Sequence, residues 1–197
     1  MPKASKGSSF ERELCKSLSL WWTNGDSDDI FWRSTTSGAR ATSRRKQGKK
    51  TFGQDGDITA TNPIGQPFLD LFCIEAKRGY NKATIQDCLD PAEGMKVQPF
   101  AQFVDQAVRS HKNAESKSWM LIHKRDRRQM MVYLPRQTMH RLVRKQPIEE
   151  IVKLKKCVCL FPVSGETGIH YICGLPFDNF FSFVTPELIK EDVSSYG

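Results

Sequence analysis

Apolar residues recur along the chain with two periods, and the period assigns most of the elements. Counted at 100° per residue, Phe10, Leu14, Cys15, Leu18, Trp21 and Trp22 fall in one arc about 140° wide, which predicts a first helix buried along that stripe. Phe68 to Lys77 (Phe-Leu-Asp-Leu-Phe-Cys-Ile-Glu-Ala-Lys) is a short apolar run of the core-strand kind. A shorter strand starts at Asp57, and the turn formers of Asn62-Pro-Ile-Gly-Gln-Pro67 predict a hairpin joining the two. Pro99 opens a stretch with apolar residues at 100, 103, 104 and 107, an amphipathic helix that should pack on the sheet. Trp119–His123 and Met130–Leu134 are strand-like, separated by the basic turn Lys124-Arg-Asp-Arg-Arg128, and residues 78–98 read as loop with a short helix. Farther on, Lys156-Cys-Val-Cys-Leu-Phe-Pro162 and His170-Tyr-Ile-Cys173 suggest a small hairpin. The aromatic segment Phe177–Phe183 reads as a layer covering a sheet edge or supporting a dimer interface.

Three charged residues break these apolar patterns. Glu75 and Lys77 are two apart on a strand and therefore point to one face, where an unpartnered charge costs several kcal/mol. They must satisfy each other or a bound cation and anion; the plainer alternative is an exposed ion pair at a frayed strand end. Asp57 would lie beside Glu75 across the hairpin, although Asp55 competes for that place. Two carboxylates a few Å apart repel unless a cation lies between them, and oxygen ligands suit Mg²⁺ or Mn²⁺. Lys77 would then stand where it can orient a water or neutralise an attacked phosphate. Glu11 lies inside the buried arc of the first helix and Glu13 outside it. Glu11 points into the site, or folds back as the acid of a Ser8-x-x-Glu11 capping box, and the two readings are compatible.

The chain has 197 residues, enough for one domain with a substantial core, and a net charge of +8 from 30 basic and 22 acidic residues. An anionic partner follows, with nucleic acid the first candidate. Between Arg33 and Lys50 there are seven basic residues (Arg33, Arg40, Arg44, Arg45, Lys46, Lys49 and Lys50) and no acid. Too little apolar content accompanies them to form a core, so the stretch is expected to be a loop that lies against phosphates. A merely solvated charge run is the alternative. No run of residues is long and apolar enough for a membrane span or signal peptide, which predicts a cytoplasmic protein with no membrane partner. The six cysteines sit mostly in apolar patterns and read as free core thiols. Cys157, Cys159, His170 and Cys173 have the right donors for zinc, yet Cys-x-Cys fits a strand better than a knuckle.

In order, Gly7-Ser-Ser-Phe-Glu11-Arg-Glu, Trp32-Arg33-Ser34, Gly56-Asp57-Ile and Ile74-Glu75-Ala-Lys77 resemble the PD-(D/E)xK nuclease superfamily, and look most like its archaeal-type Holliday junction resolvase branch. The resemblance covers roughly residues 6–135; no proline precedes Asp57, and the segment between Arg33 and Asp57 is longer than a minimal resolvase needs. It implies an α/β fold: a restriction-endonuclease-like core with a central mixed β-sheet flanked by helices, here with a small C-terminal β/α extension. The division expected is residues 1–135 as the core with the basic loop 34–52, and 136–197 as an extension packed on it. It further implies a metal-dependent DNA endonuclease acting in recombination or repair, with Glu11, Arg33, Asp57, Glu75 and Lys77 as the active site. Asp57, Glu75 and Glu11 would be metal ligands for Mg²⁺ or Mn²⁺, branched DNA the substrate, and a homodimer the working form, because two symmetric strands must be cut. In this superfamily the helix after Glu-x-Lys often carries a glutamine near the site, which draws attention to Gln102 and Gln106. The rival readings are a linear-duplex or single-strand nuclease of the same fold, and a non-catalytic nucleic-acid-binding module.

Overall fold

The structure is a computed structural model, and it describes residues 6–34, 55–95, 98–152 and 159–195. Helix α1 (Lys6–Trp22) buries the predicted stripe of Phe10, Leu14, Cys15, Leu18 and Trp22. It ends where Asn24 and Gly25 turn left-handed (φ 53° and 96°), and the Gly25 N–H donates to Leu20 O at 2.7 Å. Strand β1 (Phe31–Arg33) follows and is pinned to the helix through Ser19. That buried hydroxyl donates to Cys15 O and accepts from the Phe31 N–H, at 2.8 and 2.9 Å.

Strand β2 (Ile58–Ala60) pairs antiparallel with β1, Phe31 opposite Ala60 and Arg33 opposite Ile58. The expected hairpin between the Asp57 strand and the apolar run is therefore not formed. After β2 come a 3-10 turn (Pro63–Gly65), capped by Asn62, and helix α2 (Gln66–Leu71), so the long strand β3 begins only at Phe72 and runs to Arg78. Pro67 in the first turn favours the helical start, and Phe68 and Leu71, three apart on one helix face, are both fully buried.

Helix α3 (Gln86–Leu89) interrupts the next loop, and α4 (Pro99–Ala114) crosses one sheet face to deliver β4 (Ser118–Lys124) parallel to β3. Strand β5 (Met130–Pro135) returns antiparallel, and α5 (Arg136–Arg144) and α6 (Ile148–Val152) follow. The predicted C-terminal hairpin is present as β6 (Cys159–Gly165) and β7 (Gly168–Pro176). It joins the main sheet: β7 pairs with β5, giving the order β3-β4-β5-β7-β6. The protein is thus α/β with a five-stranded mixed sheet between helices, as a restriction-endonuclease-like core requires.

Two apolar layers enclose the sheet. One is made by Phe72, Ile74 and Ala76 of β3 with α1, α2, α5, α7 (Phe177–Phe183) and α8 (Pro186–Ser194); the other by Trp119, Leu121 and Tyr133 with α4. Phe177–Phe183 is not a cover for a sheet edge. Phe180 is fully buried against Phe72, and Phe181 stacks edge-on to Trp21, because a helix with four phenylalanines in seven residues fills the space between α1 and the sheet. Two buried acids fasten the last third of the chain, one to helix α4 and one within itself. Asp105 of α4 accepts from the backbone N–H groups of Glu166 and Thr167 in the β6–β7 turn, both at 2.9 Å. Asp192 of α8 accepts a two-point bond from Arg141 Nε at 2.9 and 3.0 Å, with Lys145 at 3.3 Å. Paired in this way, both carboxylates avoid the cost of burying an isolated charge.

Candidate active site

β3 lies at one edge of the five-stranded sheet, and its two faces differ. Phe72, Ile74 and Ala76 face the α1 layer. Glu75 and Lys77 turn toward α4, as two-residue alternation demands. Glu75 is 2 % exposed, and Lys77 Nζ lies 2.7 Å from its Oε1. The frayed-end alternative is thereby excluded. Helix α4 supplies the remaining partners: Phe103, Gln106 and Ser110 recur at i, i+3 and i+7 on the stripe above β3. Gln106 Nε2 donates to Glu75 Oε1, Ser110 Oγ donates to Oε2 at 3.4 Å, and the Phe103 ring lies 5.8 Å from Lys77 Nζ. Gln106, not Gln102, is thus the glutamine at the site. Periodicity showed that one helix face meets the sheet but not which polar residue of that face stands over Glu75. Ser110 carried no sequence signal at all.

Asp57 occupies the open edge of β3. Gly56 precedes it at φ 84°, and a Cβ there would lie 2.9 Å from Ile74 O and 3.0 Å from Cys73 Sγ, so only glycine allows this approach. The Asp57 N–H then donates to Ile74 O and its Oδ2 accepts from the Ala76 N–H, both at 2.8 Å. By main chain and side chain together, Asp57 caps two rungs that a neighbouring strand would otherwise fill. It is 8 % exposed. Of the two acids, Asp57 is the one these two edge bonds belong to.

Glu11 and Arg33 form a second pair. The β1 ladder and the Ser19 pin set Arg33 beside α1, with Nη1 3.9 Å from Glu11 Oε2. Ser8 lies inside α1 rather than at the cap position that a capping box needs, and Glu11 is engaged with Arg33. Glu13 points away, 69 % exposed, with Arg78 at 3.5 Å. The Ser34 backbone N–H donates to Asp57 O at 2.9 Å, linking the two halves of the site.

The electrostatics place Asp57 between both pairs. Burial raises the Glu75 pKa first and the Asp57 charge raises it further, against the lowering effect of Lys77. Glu11 is also raised, by burial and then by Asp57, while Arg33 and Lys77 oppose. An excess of negative charge is therefore stored at the β3 edge, the condition that a divalent cation relieves. Among the described residues no three His, Cys, Asp or Glu side chains are gathered into a ready-made metal cluster. Mg²⁺ asks for less: one or two carboxylates, the remaining positions going to water and phosphate. Asp57 and Glu75 fit that demand.

Of the other sequence candidates, Arg40, Arg44, Arg45, Lys46, Lys49 and Lys50 lie outside the described residues, as does Cys157. Cys159 is exposed at the start of β6, Cys173 is buried, and His170 is bound to Thr167 at 2.8 Å; the last two are three apart on β7 and so face opposite sides. These described residues form no zinc cluster, and the five described cysteines are free thiols. No helix among the described residues is long and apolar enough to cross a membrane.

The model of a family described as "Phage putative PDDEXK endonuclease" matches residues 3–191. No curated protein and no solved structure matches the chain.

Proposed function

The chain belongs to that PDDEXK endonuclease family, and from this premise we propose that it hydrolyses DNA phosphodiester bonds with Mg²⁺ or Mn²⁺, that branched DNA is its substrate, and that it works as a homodimer. One observation carries the catalytic reading: a buried glutamate 2.7 Å from a lysine shares the β3 edge with a second buried carboxylate. A protein that only binds DNA gains nothing from carboxylates that repel phosphate.

In this reading Asp57 and Glu75 hold the cation, which when bound neutralises charge on the attacked phosphate and makes a water more acidic. Glu11 holds a second ion or an ion-bound water. Gln106 and Ser110 fix the Glu75 carboxylate so that only Lys77 remains to turn its ammonium toward the nucleophile. Arg33, 30 % exposed, clamps the phosphate from the other side of Asp57. Branched DNA is favoured by the motif order, and the pair of cuts it requires accounts for the dimer.

The deciding experiment compares a four-way junction with its linear duplex, each in Mg²⁺ and in chelator. Paired cuts in the junction, lost in chelator, are expected. Equal cutting of both would make this a linear-duplex enzyme, and no cutting with either Mg²⁺ or Mn²⁺ would leave a binding module.

The basic stretch has its own expected outcome. Replacing Arg44, Arg45, Lys46, Lys49 and Lys50 by Ala should weaken binding to every DNA sequence and flatten the dependence on salt, by up to about 0.9 log unit per lost phosphate contact. Thermal stability should change little. Identical salt slopes for variant and parent would remove the stretch from the DNA path.

A further inference from the structure

The C-terminal ends of β3 and β4 carry two turns that the active site does not use. Gly79 and Tyr80 follow β3 with φ values of 82° and 48°, and Arg127 in the β4–β5 turn has φ 56°. A left-handed tyrosine costs free energy unless its surroundings fix it. Here they do. The Gly79 N–H donates to Lys124 O at 3.0 Å, and the Ala83 N–H closes a turn onto Tyr80 O at 2.8 Å. Asn81 and Asp126 exchange two hydrogen bonds, side-chain amide to carboxylate at 3.0 Å and the Asp126 N–H to the amide oxygen at 2.8 Å, fastening one turn to the other.

This joined pair of turns carries both an exposed aromatic ring and several cations. Tyr80 is 59 % exposed. In the same two joined turns Lys82, Arg127 and Arg128 are exposed, Lys124 and Arg125 are half-buried, and the acid Asp126 is bonded to Asn81. The surface is contiguous with the site: the Phe103 ring touches Tyr80 edge-on at 5.1 Å and meets Lys77 Nζ at 5.8 Å on its other contact.

An exposed ring beside cations suits a nucleotide whose base face is free and whose phosphates lie within reach; in a continuous duplex each base face is already covered by its neighbours. We propose that Tyr80 and the β4–β5 turn form a stacking platform for an unpaired nucleotide of the DNA strand that enters the site at Lys77. The proposal rests on the nuclease reading for its location and deepens it by naming what the substrate must offer next to the cut, an unstacked base. Because the backbone of both turns is already fixed, little ordering entropy is lost on binding.

The test uses the full chain in chelator, with a duplex carrying one bulged 2-aminopurine and the same duplex fully paired. Binding of the parent should quench the bulged fluorophore. Tyr80→Leu, which keeps the apolar contact with Phe103 but offers no ring, should abolish the quench and weaken binding of the bulged probe about tenfold. It should leave the paired probe unchanged, and Tyr80→Phe should behave as the parent. Arg127→Ala with Arg128→Ala should weaken both probes and reduce the salt slope by about two. Equal losses on both probes, a quench that survives Tyr80→Leu, or displacement of the bulged probe by polyglutamate as readily as by single-stranded DNA would overturn the platform. Binding in chelator needs no chemistry, so the two readings fail separately. A parent that cuts in Mg²⁺ while Tyr80→Leu binds like it removes only the platform; a parent that quenches the bulge but cuts nothing removes only the nuclease.

Discussion

Glu75→Gln and Asp57→Asn are each expected to abolish Mg²⁺-dependent cleavage while DNA binding in chelator is preserved or tightened. Both changes remove a negative charge facing phosphate, yet both keep a hydrogen-bonding side chain of the same shape. Glutamine at 75 can still accept from Lys77 and Gln106 through its oxygen while its NH2 donates to the Ser110 hydroxyl, and asparagine at 57 can still accept from the Ala76 N–H. The fold should therefore survive. In the metal-free protein it should become firmer above neutral pH, because Glu75 is raised from the ordinary 4.5 to about 7 by burial and by Asp57. A carboxyl whose pKa is higher in the folded than in the unfolded chain costs stability once it ionises, so the parent should lose stability as pH rises from about 4.5 to about 7. Glu75→Gln should flatten that limb. Lys77→Ala should also stop cleavage but should not tighten binding, since it removes a positive charge. Denaturation midpoints across pH, gel-shift affinity and cleavage measured on the same four proteins check each statement. Carboxylate variants that still cut would refute the proposed site.

Glu11→Gln is expected to lower cleavage by about 10²-fold or more, a loss typical of removing one charged group from a preorganised site, whereas Glu13→Gln should be silent. The two residues sit two apart on one helix but meet different surroundings. Glu11 is 17 % exposed, 3.9 Å from Arg33 and raised in pKa by burial and by Asp57. Glu13 is 69 % exposed and paired at 3.5 Å with Arg78, a surface contact worth about 0–1 kcal/mol. Glutamine is as good a helix former as glutamate, so neither substitution should alter melting by much. Should the two variants cut alike, Glu11 would be a structural partner of Arg33 and the site would reduce to Asp57, Glu75 and Lys77.

Glycine at 56 shows how closely sequence and site are joined. Its position before Asp57 was part of the sequence pattern, but the need for it became visible only once the segment was seen against β3, where Ile74 O and Cys73 Sγ leave no room for a Cβ. Ser19 is a similar case. It looks like a polar residue on a helix, and the structure makes it the pin that orients β1 and through it Arg33.

Local periodicity by itself determined α1, α4, β3 beyond Phe72, β4, β5 and the C-terminal hairpin, because periods of 3.6 and 2 reflect which side of one element is buried. It also determined that Glu11, Glu75 and Lys77 are out of place among apolar neighbours and must have partners. Tertiary structure alone decided who those partners are. The pairing of β2 with β1, rather than in a hairpin with β3, depends on contacts between segments far apart in the chain, which turn propensity cannot see. Phe68 to Leu71 became helix because so short a stretch, apolar at 68, 69 and 71, does not distinguish the two periods, and packing on Trp21, Phe31 and Phe181 selected one. The insertion of β7 between β5 and β6, the choice of Gln106 over Gln102, and the meeting of Tyr80 with a distant basic turn have the same origin. Each is fixed by where a rigid element comes to rest against another, information that no single stretch of residues contains.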